Sequence, residues 1–279
     1  VISITTGFSV SSIATDKKTK AGGIYYMLTR SLGFPIGGAI GITLFVATAL
    51  SISLYLIGFA ESMLPVIQEL FGIQEITVNH FRLVGSIALM VVLFVAYVST
   101  SFAIKIQYVI LVLIGLSLIS IFTGSSEGLK KGTDLVSNPN FAVLFGIFFP
   151  AVTGFTAGVA MSGDLKNPSK SIPWGTMLAI FTGLAVYLAL AFFLNASIDK
   201  DILTTNNNVL IQFGSIAFLV VAGVWGATLS SALGGILGGP RILQAMSLDN
   251  ISPKIFGIGH GVNNEPRNAL ILTFIISEL

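Results

Sequence analysis

The residues with the most chemical potential are Phe148, Phe149, Pro150, Ala151, Val152, Thr153, Gly154, Phe155, Thr156, Ala157 and Gly158, which fall inside a long apolar stretch. Pro150 has no amide hydrogen and clashes with the preceding helical turn, while Gly154 and Gly158 lack the side chains that would hold a continuous helix in place. The pattern predicts a broken helix. In hydrocarbon a break leaves carbonyls and amides without partners, which is tolerable only where it lines a polar cavity or is filled by a ligand. Two half-helices then face the gap with opposite poles: carbonyls of the first half attract a cation and amides of the second attract an anion. Thr153 adds a hydroxyl beside the carbonyls, and the amides of Gly154, Phe155 and Thr156 are the natural anion cradle. The alternative is a packing helix that Pro150 merely kinks, with Gly154 and Gly158 as a contact between small residues.

Composition says what must carry such a break. Of 279 residues, 54% are hydrophobic and 9% charged, and the mean hydropathy is +0.92. A soluble domain carries roughly 25% charged residues, so this is an all-α, polytopic membrane protein. Apolar blocks at 35–63, 83–98, 102–122, 141–161, 173–194 and 216–239 are read as spans, against a requirement of roughly 20 residues. Partial spans at 1–14 and 267–279 complete the set, and the whole reads as an internal fragment of one transmembrane transport domain. The first stretch has no basic region before it, so it is a cut helix and not a signal peptide. Polar connections are expected at 16–19, 69–80, 125–140, 163–172, 199–208 and 249–266.

Orientation follows from lysine and arginine, which are retained on the cytoplasmic side. Alternating the connections places Lys17, Lys18, Lys20, Arg30, Lys105, Lys166, Lys170, Arg241, Lys254 and Arg267 on one side. Arg82, Lys130, Lys131 and Lys200 fall on the other. The loop 15–20 is therefore expected to be cytoplasmic, in a multi-pass protein of the cell membrane.

Other chemistries find little support. There is no cysteine, which removes disulfides, thiolate metal sites and cysteine nucleophiles. No basic block points to nucleic acid, since the net charge is only +2. Gly124, Ser125, Ser126, Glu127 and Gly128 fit G-x-S-x-G, but in a polar loop with no strand before it to form a nucleophile elbow. His80 and His260 lie in loops on opposite sides, so neither a metal constellation nor a protease dyad can be assembled. No ring of pore-lining residues or repeated filter motif suggests a passive channel. The reading is of a protein that is not an enzyme and has no cofactor.

The stretch from Phe149 to Thr176, with Met161, Ser162, Gly163, Asp164, Leu165, Lys166, Asn167 and Pro168 after the break, resembles the sixth segment and following loop of the cation-chloride cotransporters. These are a branch of the amino acid-polyamine-organocation superfamily. Ile4 to Leu32 is similar to that family's second segment and the loop into the third, Tyr55 to Glu61 to the end of the third, and Ala227 to Pro240 with Asp249 to Pro253 to the eighth and its exit. The resemblance implies segments two to nine of an inverted-repeat, LeuT-type transporter fold.

It also implies site residues. Potassium would be held by the Pro150 carbonyl, Thr153 and Tyr55. Tyr55 lies eight residues before Met63, about 12 Å from the expected outer end of its helix. One chloride would sit on the amides of Gly154, Phe155 and Thr156, where Phe155 replaces the usual aliphatic residue. Sodium-coupled members carry a serine pair in the eighth segment, matched by Ser230 and Ser231, with Ala227 completing the sodium site. Taken alone, these serines could equally serve close helix packing, as Gly234, Gly235, Gly238 and Gly239 do. Asp164 and Lys166 read as loop structure, and a homodimer is compatible with the resemblance. The implied function is electrically balanced symport of Na+ and/or K+ with Cl− by alternating access. The alternatives are potassium-chloride cotransport without sodium, or an amino acid permease of the same superfamily.

Overall fold

A computed structural model describes residues 1–16, 21–98, 100–124, 140–199, 202–203, 208–261 and 264–279, with the side chain of Asp164 outside the description. Lys17, Lys18, Lys20, Lys130, Lys131, Lys200 and Ser125 to Gly128 therefore lie outside the described residues. The described chain is helical apart from an isolated bridge between His260 and Glu265. Its helices are α1 (Ile2–Asp16), α2 (Gly23–Leu32), α3 (Phe34–Phe71), α4 (Val78–Val98), α5 (Thr100–Phe122), α6 (Phe141–Phe148), α7 (Ala157–Ala160), α8 (Pro168–Ser197), α9 (Val209–Phe213), α10 (Ala217–Leu248) and α11 (Arg267–Glu278). Among the described residues, 6 helical stretches are long and apolar enough to cross a membrane. Large side chains such as Phe94, Tyr108, Leu178 and Phe192 stand exposed around the outside, as lipid contact requires.

Several boundaries differ from the apolar blocks. The helix α3 continues through Glu69 to Phe71 and stops only where Gly72, at φ 63, supplies a left-handed cap whose amide donates to the Gln68 carbonyl. At 38 residues α3 is about 57 Å long by helical rise, more than the roughly 30 Å of a hydrocarbon core. Tyr55 is consequently about 24 Å from its end, near the middle of the helix and not 12 Å from an end. Likewise α8 begins at Pro168, a residue suited to the first helical turn, inside the stretch expected to be loop.

The loop into the third segment contains a helix of its own, α2. Gly23, at φ 55, lets the chain turn into it, and a Cβ there would lie 2.6 Å from Ala160 Cα. The side chains of Tyr25, Met27 and Thr29 are buried. Burial, and then the Asp249 carboxylate, pushes the Tyr25 phenol well above its ordinary range, so it stays a donor to Asp249 Oδ2 at 2.8 Å. Arg30 Nη2 donates to the other oxygen at 2.7 Å, which fastens α2 to the end of α10. Close by in the sequence, Arg241 donates to the Asn264 carbonyl at 3.2 Å and Thr100 to Glu265 at 3.2 Å, and the Arg267 guanidinium lies 4.7 Å from the Tyr97 ring centroid.

The helices pack in two groups. In one, α1 runs against α8, with Gly7 set against Ile180 and Met177. In the other, α3, α4, α5, α10 and α11 share a core that includes Ile52, Leu56, Leu89, Val92, Ile110, Leu233, Ile236 and Leu270. Within the second group α10 packs on both α3 and α5, and α11 packs on α10, α3 and α4.

Close approach between α5 and α10 depends on glycine. A Cβ on Gly223 would stand 2.2 Å from the Ser117 Cβ, an atom fixed to its own backbone. Gly223→Val should therefore force the two helices apart and destabilise by about 1–3 kcal/mol. Gly183, with nothing within 4 Å of an added Cβ, should accept alanine without loss. The monodisperse fraction surviving a heating series in detergent separates the two; equal survival would contradict the packing described.

Candidate functional site

The helical pattern of the sixth segment fails where proline and glycine predict. The helix α6 ends at Phe148, a 3₁₀ turn covers Phe149–Val152, Thr153 follows outside it, a second 3₁₀ turn covers Gly154–Thr156, and α7 resumes at Ala157. The chain keeps right-handed dihedrals throughout, with Thr153 at φ −96 and ψ −16, so the break is a tightening of the helix and not an extended gap. Pro150 favours this, since it can neither donate to the turn before it nor fit its ring there, and the glycines that follow remove side chains that would restrain the helix. Among the described residues, no backbone hydrogen bond from the Gly154 or Phe155 amide reaches back across Thr153 into the preceding turn.

Gly154 and Gly158 do not act as a packing pair. Nothing lies within 4 Å of a Cβ added to either, among the described residues. The contact between small residues is made by α10 instead: a Cβ on Gly234 would come 3.6 Å from Ala157 Cβ and one on Gly238 3.1 Å from Ala160 Cβ. On the adjoining face Gly235 admits Ile52, whose Cγ1 would be 2.7 Å from its Cβ. The glycine run of α10 thus brings α3 and the broken segment to either side of one helix.

Where these three elements meet they enclose a cavity of 440 Å³. Tyr55 from α3, Thr153, Gly154 and Thr156 from the break, and Ser230 and Ser231 from α10 all line it. Six of the nine residues singled out from the sequence are therefore gathered around one space, although they come from positions 55 to 231 of the chain. Pro150, Phe155 and Ala227 do not line it. Pro150 is exposed and its carbonyl accepts from Thr153 Oγ1 at 2.7 Å, while the Ala227 carbonyl accepts from Ser231 Oγ at 2.9 Å. Each is hydrogen-bonded to the hydroxyl of a residue that does line the cavity.

Three more polar residues line the cavity and were missed: Thr48, Ser51 and Gln107. Thr48 donates to its own helix at the Leu44 carbonyl (2.7 Å) and Ser51 at the Thr48 carbonyl (2.7 Å), so their hydroxyls read as ordinary helix residues. A signal was present, because Thr48, Ser51 and Tyr55 recur at three and four residues along one face of an apolar helix. Gln107 is an amide in an apolar span, which is also a signal. Among the described residues, the cavity lining contains no Asp, Glu, Lys or Arg. Among the described residues no group of three or more His, Cys, Asp or Glu could hold a metal ion. What the site offers is hydroxyls, an amide side chain and the backbone dipoles of an interrupted helix, all suited to partly dehydrated small ions or to a small polar solute.

The family model described as amino acid permease matches residues 1–279. Solute carrier family 12 member 2 of Mus musculus is 31% identical, over 99% of this chain and 28% of its own length. Solute carrier family 12 member 1 of Homo sapiens is 32% identical, over 98% of this chain and 30% of its own length. Solute carrier family 12 member 2 of Danio rerio is 31% identical, over 99% and 30% respectively. The chain thus spans about 30% of the length of the curated relatives it matches. By the match of that family model over its whole length, the chain belongs to the amino acid permease family, a family of multi-pass membrane transporters.

Proposed function

We propose that this chain forms part of the ion-binding core of a secondary active symporter that moves chloride together with sodium and potassium. The observation that carries the reading is the convergence of Tyr55, Thr153, Gly154, Thr156, Ser230 and Ser231 on one cavity without a formal charge. Potassium is assigned to the Pro150 carbonyl with the hydroxyls of Thr153 and Tyr55. Chloride is assigned to the amides of Gly154, Phe155 and Thr156, and sodium to the Ala227 carbonyl with Ser230 and Ser231. A small hard cation favours such oxygen ligands.

Transferring a lone ion into this uncharged space is penalised by several kcal/mol even after relaxation. A cation and an anion loaded together offset each other, which favours an electrically balanced cargo. Alignment with solute carrier family 12 over nearly the whole chain supports the cation-chloride branch. The end of the bundle that carries Arg30, Arg241, Lys254 and Arg267 is assigned to the cytoplasm, by the basic-residue rule. The 440 Å³ volume also suits a small amino acid, whose carboxylate could occupy the amide cradle, and this is the second reading.

Isotope flux in cells expressing the whole protein tests both. Rubidium uptake is expected to need chloride and sodium together. Chloride-dependent rubidium uptake that persists without sodium would overturn the sodium assignment, and amino acid uptake independent of chloride would establish the second reading. Thr153→Val removes a hydroxyl while keeping the shape, and should raise half-saturating rubidium roughly tenfold, the equivalent of about 1.4 kcal/mol. Sodium dependence should move much less; an equal shift in both would contradict the site assignment.

A further inference from the structure

Four successive carbonyls at the break each accept a hydroxyl, and that of Pro150 also accepts the Thr153 amide at 3.4 Å. Thr153 Oγ1 donates to the Pro150 carbonyl at 2.7 Å and Thr156 Oγ1 to the Thr153 carbonyl at 3.4 Å. The two between them are reached from outside the segment: Tyr187 of α8 donates to the Ala151 carbonyl at 2.9 Å, and Ser3 of α1 to the Val152 carbonyl at 3.2 Å. Tyr187 holds the segment a second time, with its ring edge-on to Phe148 at 5.4 Å between centroids. Since α1 and α8 pack on each other, one helix pair clasps the break at two adjacent carbonyls and a ring.

In a 3₁₀ turn successive residues are a third of a turn apart, so these carbonyls point in different directions. Of the four residues, Thr153 lines the cavity, whereas Pro150, Ala151 and Val152 do not. A released carbonyl near the cavity would take water or compete for a cation. Tyr187 and Ser3 occupy those of Ala151 and Val152.

We infer that Tyr187 and Ser3 are positioning residues for the cation site: they fix the Ala151 and Val152 carbonyls on the α1 and α8 side, and so hold the adjoining Thr153, which lines the cavity, in place for the ion. The inference rests on the cation reading of the break given above. It follows that cation affinity in the break depends on two hydroxyls that never touch the ion. The sodium assignment at Ser230 and Ser231 lies on α10, outside the clasp, and does not depend on them.

The test uses Tyr187→Phe, Ser3→Ala and Ser3→Thr in the whole protein, with uptake normalised to the amount at the cell surface. Tyr187→Phe keeps the ring on Phe148 and removes one hydrogen bond, and should raise half-saturating rubidium roughly three- to tenfold, with Ser3→Ala shifting it in the same direction. Ser3→Thr retains the donor and should behave as wild type, and sodium dependence should be unchanged in all three. Where Tyr187→Phe fails to reach the surface, the Ser3 pair carries the comparison. Rubidium dependence unchanged in Tyr187→Phe and Ser3→Ala, or rubidium and sodium shifted equally, would overturn the inference while leaving the transport reading in place. Absence of chloride-dependent rubidium uptake in the wild type would overturn the transport reading, and this inference with it.

Discussion

The structure depends on the requirement that backbone polar groups inside a bilayer be satisfied within the protein. An α-helix meets it automatically, so a break in mid-span must be compensated group by group. Pro150 removes an amide donor at the break, as Pro65, Pro173 and Pro240 do inside helices that continue through them. The tightening into 3₁₀ turns limits how many groups are released, and four hydroxyls take up the carbonyls of Pro150, Ala151, Val152 and Thr153. Two of those hydroxyls come from α1 and α8, which ties the arrangement of neighbouring helices to the needs of one interrupted segment. The remaining polar faces turn to the cavity.

That cavity does its chemistry without charged side chains, and the magnitudes explain why this suits a carrier. A carboxylate buried opposite a cation would bind it strongly and release it slowly, and would stand as an uncompensated charge whenever the site was empty. Hydroxyls and backbone dipoles each contribute less, and they remain hydrogen-bonded when no ligand is present. Thr153 and Ser231 show this directly, each donating to a carbonyl one turn back on its own chain. These two hydroxyls are therefore satisfied within the protein itself.

Local features were the most legible in the sequence. Pro150 and the glycines after it announce a break from stereochemistry alone, and apolar blocks locate the spans. The form of the break was not legible, because whether a proline opens a gap or tightens a turn depends on which hydroxyls lie near it in space. Ser3 and Tyr187 carry no signal of that role in their own surroundings. Tyr55, Ser230 and Ser231 were found through family resemblance, since no spacing rule links a residue in α3 to two in α10. The helix α2 was read as loop because its 10 residues are too few and too mixed to form an apolar block, and what holds it is the Asp249 contact to Tyr25 and Arg30. Glu69 was assigned to a connection on polarity, whereas the helix ends at the first residue whose backbone permits it, Gly72.

The two helix groups meet differently inside and between themselves. Within the larger group, Ser117 fills the notch at Gly223 and Ile52 the notch at Gly235, and within the smaller one Ile180 fills the notch at Gly7. Such interlocking resists sliding, because movement would force side chains into backbone. Between α10 and α7 the contact is of small residues, Gly234 and Gly238 against Ala157 and Ala160, while α2 sets Gly23 against Ala160 on another side. The cavity lies beside this contact, so the separation of α10 from the broken segment sets the distance from Thr153 to Ser230 and Ser231.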